Sequence, residues 1–418
     1  MSSPDTFKPV RKVRLAYIVS HPIQYQAPLL RRIEQESDID LTVFYGSDFS
    51  LRSYKDEGFG VNVAWDIPLL EGYKSEFLPK IRDKGDVSFS NPLNRGIYRR
   101  LRNTDGTPAF DAIWVHGYAS INSLQAILAA NALGIPVLLR ADVWLADRLR
   151  SPFKLFVKSL LLHDLRHMIA ATLPIGTANA AYWSHYFGRD FPQFLLPYAV
   201  DNDYFARRAE EAAATEPELR AELELEPGRP IILFASKLQT RKHADHLVEA
   251  YSALLRKLPS DPYLIIVGDG EERANLEAQV ASLGLTGVRF AGFQNQSAIP
   301  RYFRLADVFV LPARHEPWGL IVNESMAAGC PVIVSSDVGA GPDLVAPSPN
   351  DLAHPPGLIY PVGNVPALTH ALARVLASPA TAGAMAEAAK LRIANWSFEQ
   401  NIQALRRALA FTTRKIRA

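Results

Sequence analysis

Residues Leu311–Val345 read LPARHEPWGLIVNESMAAGCPVIVSSDVGAGPDLV, and the order of residue types in them decides the fold class. An apolar strand ends at Leu311 and a polar loop carries Glu316. Gly319 then opens a helix over Leu320 to Ala328, and Pro331 to Ser335 is apolar again. Strand, helix and strand in such quick succession make a parallel βαβ unit, because parallel neighbours need a crossover and a helix usually supplies it.

The alternation extends outward from there. Pro230–Ala235 (PIILFA), Tyr263–Val267, Val288–Ala291 and Val308–Leu311 read as strands, and His246–Leu258 and Arg273–Leu283 as helices. In the first half Val13–Ser20 (VRLAYIVS), Leu41–Tyr45, Ala112–Val115 and Ile135–Leu139 read as strands, while Ala27–Ile33 and Ser120–Leu133 are helical. Two α/β halves follow, joined within Leu196–Gly228, a stretch rich in Ala, Glu and Pro. Ligands of such open sheets bind beyond the strand C-termini.

Composition agrees. The 418 residues are too many for one ordinary core, and 48% hydrophobic with 21% charged residues is a globular profile. A formal charge of +2 gives no reason to expect nucleic acid as a partner. The single cysteine, Cys330, forms no intrachain disulfide and fits a reducing compartment. Met1–Val10 is polar and unlike a secretory signal, and no run of about 18 apolar residues occurs. The expected location is cytoplasmic, with peripheral attachment at the inner face of the plasma membrane left open.

The free N–H groups of a helix starting at Gly319 suit a diphosphate, and Glu324, eight residues beyond Glu316, could accept from a ribose diol. The same residues also read as an N-cap loop with surface glutamates. Four other segments bear on the choice. They are SKLQTRKH (Ser236–His243), VGDGEER (Val267–Arg273), FAGFQNQSAIPRYFRLADVFVLP and PYAVDNDYF (Pro197–Phe205).

In order along the chain, these resemble the conserved elements of retaining glycosyltransferases of family 4, within the glycosyl transferases group 1. The Glu316–Glu324 segment resembles that family's signature of two glutamates separated by seven residues. The resemblance implies an α/β, GT-B fold: two Rossmann-like, doubly wound domains facing across a cleft. The domains are expected at residues 1–200 (acceptor side) and 201–395 (donor side), with 396–418 a helix packing back toward the first.

Position by position, the resemblance implies that Lys237 and Lys242 neutralise the donor diphosphate as the sugar bond breaks. Glu324 would hold the ribose, and Glu316 with the backbone of Pro317, Trp318, Gly319 and Leu320 would sit by the transferred sugar. Gly292 and Phe293 would line the nucleobase slot. Two departures bear on loop shape: Lys242-His243 replaces Lys-Gly, and Tyr198-Ala199 replaces Asn-Gly.

The N-terminal half admits alternatives. SHPIQYQAPLLRRI (Ser20–Ile33) places His21, Gln24 and Tyr25 after the first strand, to position an acceptor or merely to cap and pack. His116 ends another strand, as a catalytic-site group or a hydrogen-bonded structural one. Arg140 and Asp142 end the next, to bind sugar hydroxyls or to pair with each other. Ser151–Ile169 (SPFKLFVKSLLLHDLRHMI) is apolar with basic residues interspersed, so it reads either as a helix on anionic lipid or as a core helix with solvated charges. No P-loop, zinc-spaced Cys/His cluster or G-x-S-x-G elbow occurs, and no metal is expected.

The expected activity is transfer of a sugar, with retention, from a nucleoside diphosphate-sugar to an acceptor hydroxyl. No cofactor is bound; the co-substrate is a UDP-sugar in the first instance, or a GDP-sugar. The acceptor is a glycan or lipid-linked glycan in bacterial surface polysaccharide or glycolipid assembly. The rivals are a soluble transferase with a small acceptor and a non-catalytic sugar-nucleotide binder.

Overall fold

The computed structural model describes residues 11–146, 151–257, 261–347 and 354–417. Among them the strands form two six-stranded sheets and two small two-stranded antiparallel ribbons. The first comprises β1 (Val13–Val19), β2 (Ile39–Tyr45), β3 (Lys74–Phe77), β4 (Ala112–His116), β5 (Val137–Arg140) and β6 (Ala171–Thr172). The second comprises β7 (Ile231–Ala235), β8 (Tyr263–Val267), β9 (Val288–Gly292), β10 (Val308–Leu311), β11 (Val332–Ser335) and β12 (Gly357–Tyr360). Their spatial orders, β3-β2-β1-β4-β5-β6 and β9-β8-β7-β10-β11-β12, are the same doubly wound order, and every pairing is parallel.

Central strands are apolar on both faces because helices cover both. In β1, Leu15, Tyr17 and Val19 enter one core cluster while Ala16 and Ile18 enter the cluster on the other face. In β7, Ile231, Leu233 and Ala235 alternate in the same way with Ile232 and Phe234. Such two-sided burial gives parallel strands their continuous apolar reading.

The helices used below are α1 (Ala27–Glu34), α2 (Ile121–Ala132), α3 (Pro152–Met168), α4 (Thr177–Phe187), α5 (Asn202–Glu211), α6 (Ala244–Leu255), α7 (Arg273–Ser282), α8 (Ile299–Leu305), α9 (Leu320–Ala327), α10 (Val365–Val375), α11 (Pro379–Ala394) and α12 (Phe398–Arg417). The α/β architecture expected from the alternating pattern is therefore borne out. The joining stretch is itself largely helical, and α5 packs on α8 and α9. α12 buries Ile402, Leu405, Ala408 and Leu409 in the core of the first sheet, and Arg406 donates to Asp38 at 2.8 Å there.

Each sheet has one point where its strand order reverses: between β1 and β4, and between β7 and β10. Chains leaving neighbouring strands there diverge and open a crevice. The segments after β1, β4, β7 and β10 are those carrying His21 to Tyr25, His116, Lys237 to Lys242, and Glu316.

Candidate functional site

The turn after β8 packs directly against the loop after β7. Gly268 has φ +133, and a Cβ on it would lie 1.9 Å from the Ser236 carbonyl, so only glycine allows this approach. The backbone N–H of Leu238 donates to the Asp269 carbonyl at 2.8 Å, which fixes the loop that ends at Lys242. Lys242 is buried, and its ammonium donates to Glu316. Arg241, half-exposed, donates to the same carboxylate oxygen at 3.0 Å. Burial pushes the Glu316 carboxyl up, but Lys242 and Arg241 outweigh it and hold the group below its ordinary value. A carboxylate compensating two cations is thus built into the loop, and Arg241 is a member of it that the sequence did not single out.

Glu316 is pinned from both sides: its N–H donates to the Asp337 carbonyl at 3.0 Å, and its own carbonyl accepts from Gly339 at 2.9 Å. Gly319, at φ +91, makes the turn into α9, and a Cβ there would press on Leu311 at 2.9 Å. The first turn of α9 opens on a cavity of about 290 Å³, lined by Leu320, Ile321 and Glu324 together with Phe293. Glu324 faces this cavity, and among the described residues it has no hydrogen-bond or ion-pair partner. Burial pushes its carboxyl up to about 8. Gly292, at φ +68, turns the chain so that Phe293 reaches the cavity. Trp318 departs from its neighbours. Its ring is buried, donates to Asn323 at 2.9 Å and stacks on Trp396 at 5.5 Å, so only its backbone borders α9.

Across the cleft, Gln24 and Tyr25 line the same cavity. Behind them lies a buried polar chain. Tyr17 donates to Gln26 at 2.7 Å, and the Gln26 amide lies 3.3 Å from the His116 ring nitrogens. His116 Nε2 is 3.8 Å from Asp142, and Tyr198 donates to the same carboxylate. The Tyr25 hydroxyl is 3.1 Å from that of Tyr198; since Tyr198 has given its proton to Asp142, Tyr25 must donate here. Burial pushes Asp142 up, but His116, Tyr198 and Arg140 together hold it below its ordinary value. Among the described residues Arg140 makes no ion pair with Asp142. It lies over the Tyr198 ring at 4.6 Å and the Trp114 ring at 5.8 Å instead. His21 sits outside this chain, 2.8 Å from the Ser20 hydroxyl and against Phe49, with burial and His116 lowering it to about 4.

The two domains also touch through residues that no local pattern marked. Asp56 accepts from Lys237 at 2.7 and 2.9 Å, and Phe59 meets Phe293 edge-on at 4.8 Å. Trp65 completes the cavity wall, and Ser297 donates to Asp66. His315 Nδ1 lies 2.7 Å from the Ala146 carbonyl. Because Asp56 already compensates Lys237, the diphosphate that the sequence resemblance implies there would have to displace it. Replacing Asp56 by Asn should tighten nucleoside diphosphate binding about two- to fivefold, the size of a partly exposed ion pair. Calorimetry reads this directly; unchanged or weaker binding would mean that Asp56 does not compete with the ligand.

Two other features are separate from this arrangement. A larger groove of about 730 Å³ lies on the hinge side between Arg32, Asp201 and Lys390, with none of the convergent groups above. His243, Asp245 and His246 come within 4.8 Å of one another, a grouping the linear spacing did not suggest. The two imidazoles stack face to face at 4.2 Å rather than converging their lone pairs.

Residues 215–392 match the family model of glycosyl transferases group 1. Over 188 residues the chain is 35% identical to a 2-deoxystreptamine glucosyltransferase of Streptomyces kanamyceticus, covering 44% of this chain and 46% of that one. Over 215 residues it is 31% identical to a GDP-mannose-dependent alpha-(1-6)-phosphatidylinositol monomannoside mannosyltransferase of Mycolicibacterium smegmatis, covering 49% and 52%. The chain thus spans about half the length of these relatives. Similarity to solved structures runs along the whole chain. Anabaena HepE in complex with UDP aligns over 96% of this chain and 99% of its own, with TM-score 0.69 and 16% identity. Sucrose-phosphate synthase from Thermosynechococcus elongatus aligns over 95% and 98%, with TM-score 0.65 and 19% identity. The half of the chain that carries Lys242, Glu316 and Glu324 therefore matches the group 1 glycosyl transferases, and the chain as a whole has the GT-B fold.

Proposed function

We propose that this protein is a retaining glycosyltransferase that moves a sugar from a nucleoside diphosphate-sugar, UDP-linked in the first instance, to a hydroxyl of a glycan or lipid-linked glycan. The observation that carries the reading is one cavity lined by the start of α9, Phe293 and an unpartnered Glu324, with Lys242 bonded to Glu316 in the loop that leads into that helix. The relatives named above use sugar donors, and HepE holds UDP, which supports the same reading.

In this reading the base enters the slot beside Phe293 and Trp65 and parts Phe59 from Phe293. The ribose diol donates to Glu324, and the diphosphate meets the start of α9 with Lys237 and Lys242. As the bond from the anomeric carbon to the phosphate oxygen breaks, these cations stabilise the charge that develops on the leaving group. Glu316, released from Lys242 by the phosphate, accepts from hydroxyls of the transferred sugar. The acceptor oxygen bonds to the anomeric carbon on the face the phosphate leaves, and its proton passes to the departing phosphate oxygen. Gln24, Tyr25 and the Tyr198–Asp142–His116 chain hold the acceptor side, with Arg140 stiffening it from behind.

Thermal unfolding with a panel of nucleoside diphosphate-sugars tests the assignment, because a ligand that binds only the folded state stabilises it by mass action. One sugar nucleotide should raise the unfolding temperature more than its bare nucleotide. A flat response across UDP-, GDP-, ADP- and dTDP-sugars would remove the donor site. Product anomers read by NMR then separate retention from inversion.

A further inference from the structure

Gln296 lines the cavity at the start of α9, beside Phe293 and Glu324, and its Oε1 is buried without a hydrogen bond from any described residue. Its backbone N–H donates to Asn295 Oδ1 at 3.0 Å, while no described residue accepts from its Nε2. Buried amide oxygens are nearly always satisfied in folded proteins, so an open one in a cavity wall suits a donor on a ligand. The other glutamines of this cavity differ. Gln294 donates its Nε2 to the Ala291 carbonyl at 2.9 Å, and Gln24, on the facing domain, buries no polar atom without a partner. Gln296 thus keeps both a donor and an acceptor to offer.

The turn that carries this side chain is held on either side. Asn295 Nδ2 donates to the Ala64 carbonyl at 2.5 Å and the Ser297 hydroxyl donates to Asp66, so both neighbours of Gln296 are tied to the first domain. Phe293, beside which a base enters the slot in the reading above, begins the same turn. Ring and amide then have different tasks. An aromatic face accepts any base, whereas hydrogen bonds at the edge tell one base from another. A primary amide presents a donor beside an acceptor. Uracil presents the complement, its N3–H beside the O4 carbonyl. A carboxylate at the same place would offer acceptors alone: it would repel O4 and suit guanine, whose N1–H and amino group are two adjacent donors.

We propose that Gln296 reads the edge of the donor's base and that its amide selects uracil, with Oε1 accepting from N3–H and Nε2 donating to O4. This rests on the donor-site reading and adds to it the group that chooses the base. The test is calorimetry of the full chain with uridine and guanosine diphosphates, in the wild type, Gln296→Glu, Gln296→Ala and Glu324→Gln. The wild type should bind uridine diphosphate the more tightly. Gln296→Glu should weaken uridine diphosphate binding at least about tenfold and shift the ratio of the two affinities toward guanine by at least as much, the size of a bidentate base contact. Gln296→Ala, which brings no charge, should weaken uridine diphosphate about three- to tenfold and narrow the preference. Glu324→Gln should weaken both nucleotides alike, because both carry the same ribose. An affinity ratio that the two Gln296 variants leave as in the wild type would overturn the proposal while the donor site stands. So would a wild type that prefers guanosine diphosphate. Failure of the wild type to bind either nucleotide would overturn the donor-site reading, and this proposal with it.

Discussion

Lys242→Ala is expected to lower turnover at saturating donor by about 10²–10³-fold, the loss typical of removing one preorganised group from a developing charge. The burial of the Lys242–Glu316 pair adds a second consequence. This lysine is no solvent-facing loop cation, since the structure buries it against Glu316. Removing one member of a buried pair leaves the other uncompensated, commonly at 3–5 kcal/mol. Arg241 stays on Glu316 at 3.0 Å, so a smaller loss of about 2 kcal/mol is expected here. The double variant Lys242→Met/Glu316→Gln should recover most of that stability and none of the turnover. Chemical denaturation and steady-state kinetics on both variants separate the effects. A double variant that regains activity along with stability would show that Lys242 only holds the loop.

Glu324→Gln should have effects of opposite sign on stability and binding. The folded protein keeps the Glu324 proton up to about 8, against an ordinary value of 4.5. The stability linked to this group is therefore complete below 4.5 and is lost as pH rises toward 8. Glutamine escapes that loss, so the unliganded variant should be the more stable protein at pH 8, by on the order of 2 kcal/mol given that the carboxyl opens on the cleft. Ribose binding needs the opposite. A carboxylate accepting from a diol is the ionised form, so nucleoside diphosphate affinity should climb with pH to about 8 and then level off. The variant should bind about 10–100-fold more weakly at pH 8 and lack this climb, as expected for a lost hydrogen bond to a charged group. Glu316→Gln should act instead on the sugar-bearing donor more than on the bare nucleotide. Calorimetry across pH checks both; a pH-independent wild type would take Glu324 off the ribose.

The fold was legible where burial dictates residue type. β1, β7, β8 and β10 lie inside their sheets, so their runs are apolar, Arg14 near the start of β1 apart, and stand out in the sequence. The strands that sequence reading missed, β3, β6 and β12, are edge strands. β3 reads KSEF with its lysine and serine in water, and β6 is two residues long. Lys242, Glu316 and Glu324 were legible because one strand–loop–helix unit and the loop beside it carry them. Asp56 was not. Its partner Lys237 is 181 residues away in the other domain, and nothing around Asp56 announces that contact. Tyr198 stood out only as a departure from an expected asparagine, and its bond to Asp142 joins residues 56 apart in the chain, beyond the reach of any local pattern. The segment of α3 shows why periodicity fell short: apolar residues occupy both sides of the helix, so no single polar face appears and the sequence alone does not say which side is covered.

We propose that Lys242, Glu316 and Glu324 together form a donor site at which a sugar–phosphate bond breaks. Release of nucleoside diphosphate from its sugar nucleotide, followed without acceptor in the wild type and in Lys242→Met/Glu316→Gln, tests it most directly. Slow hydrolysis of one donor is expected of the wild type, and at least about a hundredfold less of the folded double variant. Equal release by the two proteins, or a wild type that binds the donor yet never releases nucleoside diphosphate with or without acceptor glycans, would contradict it.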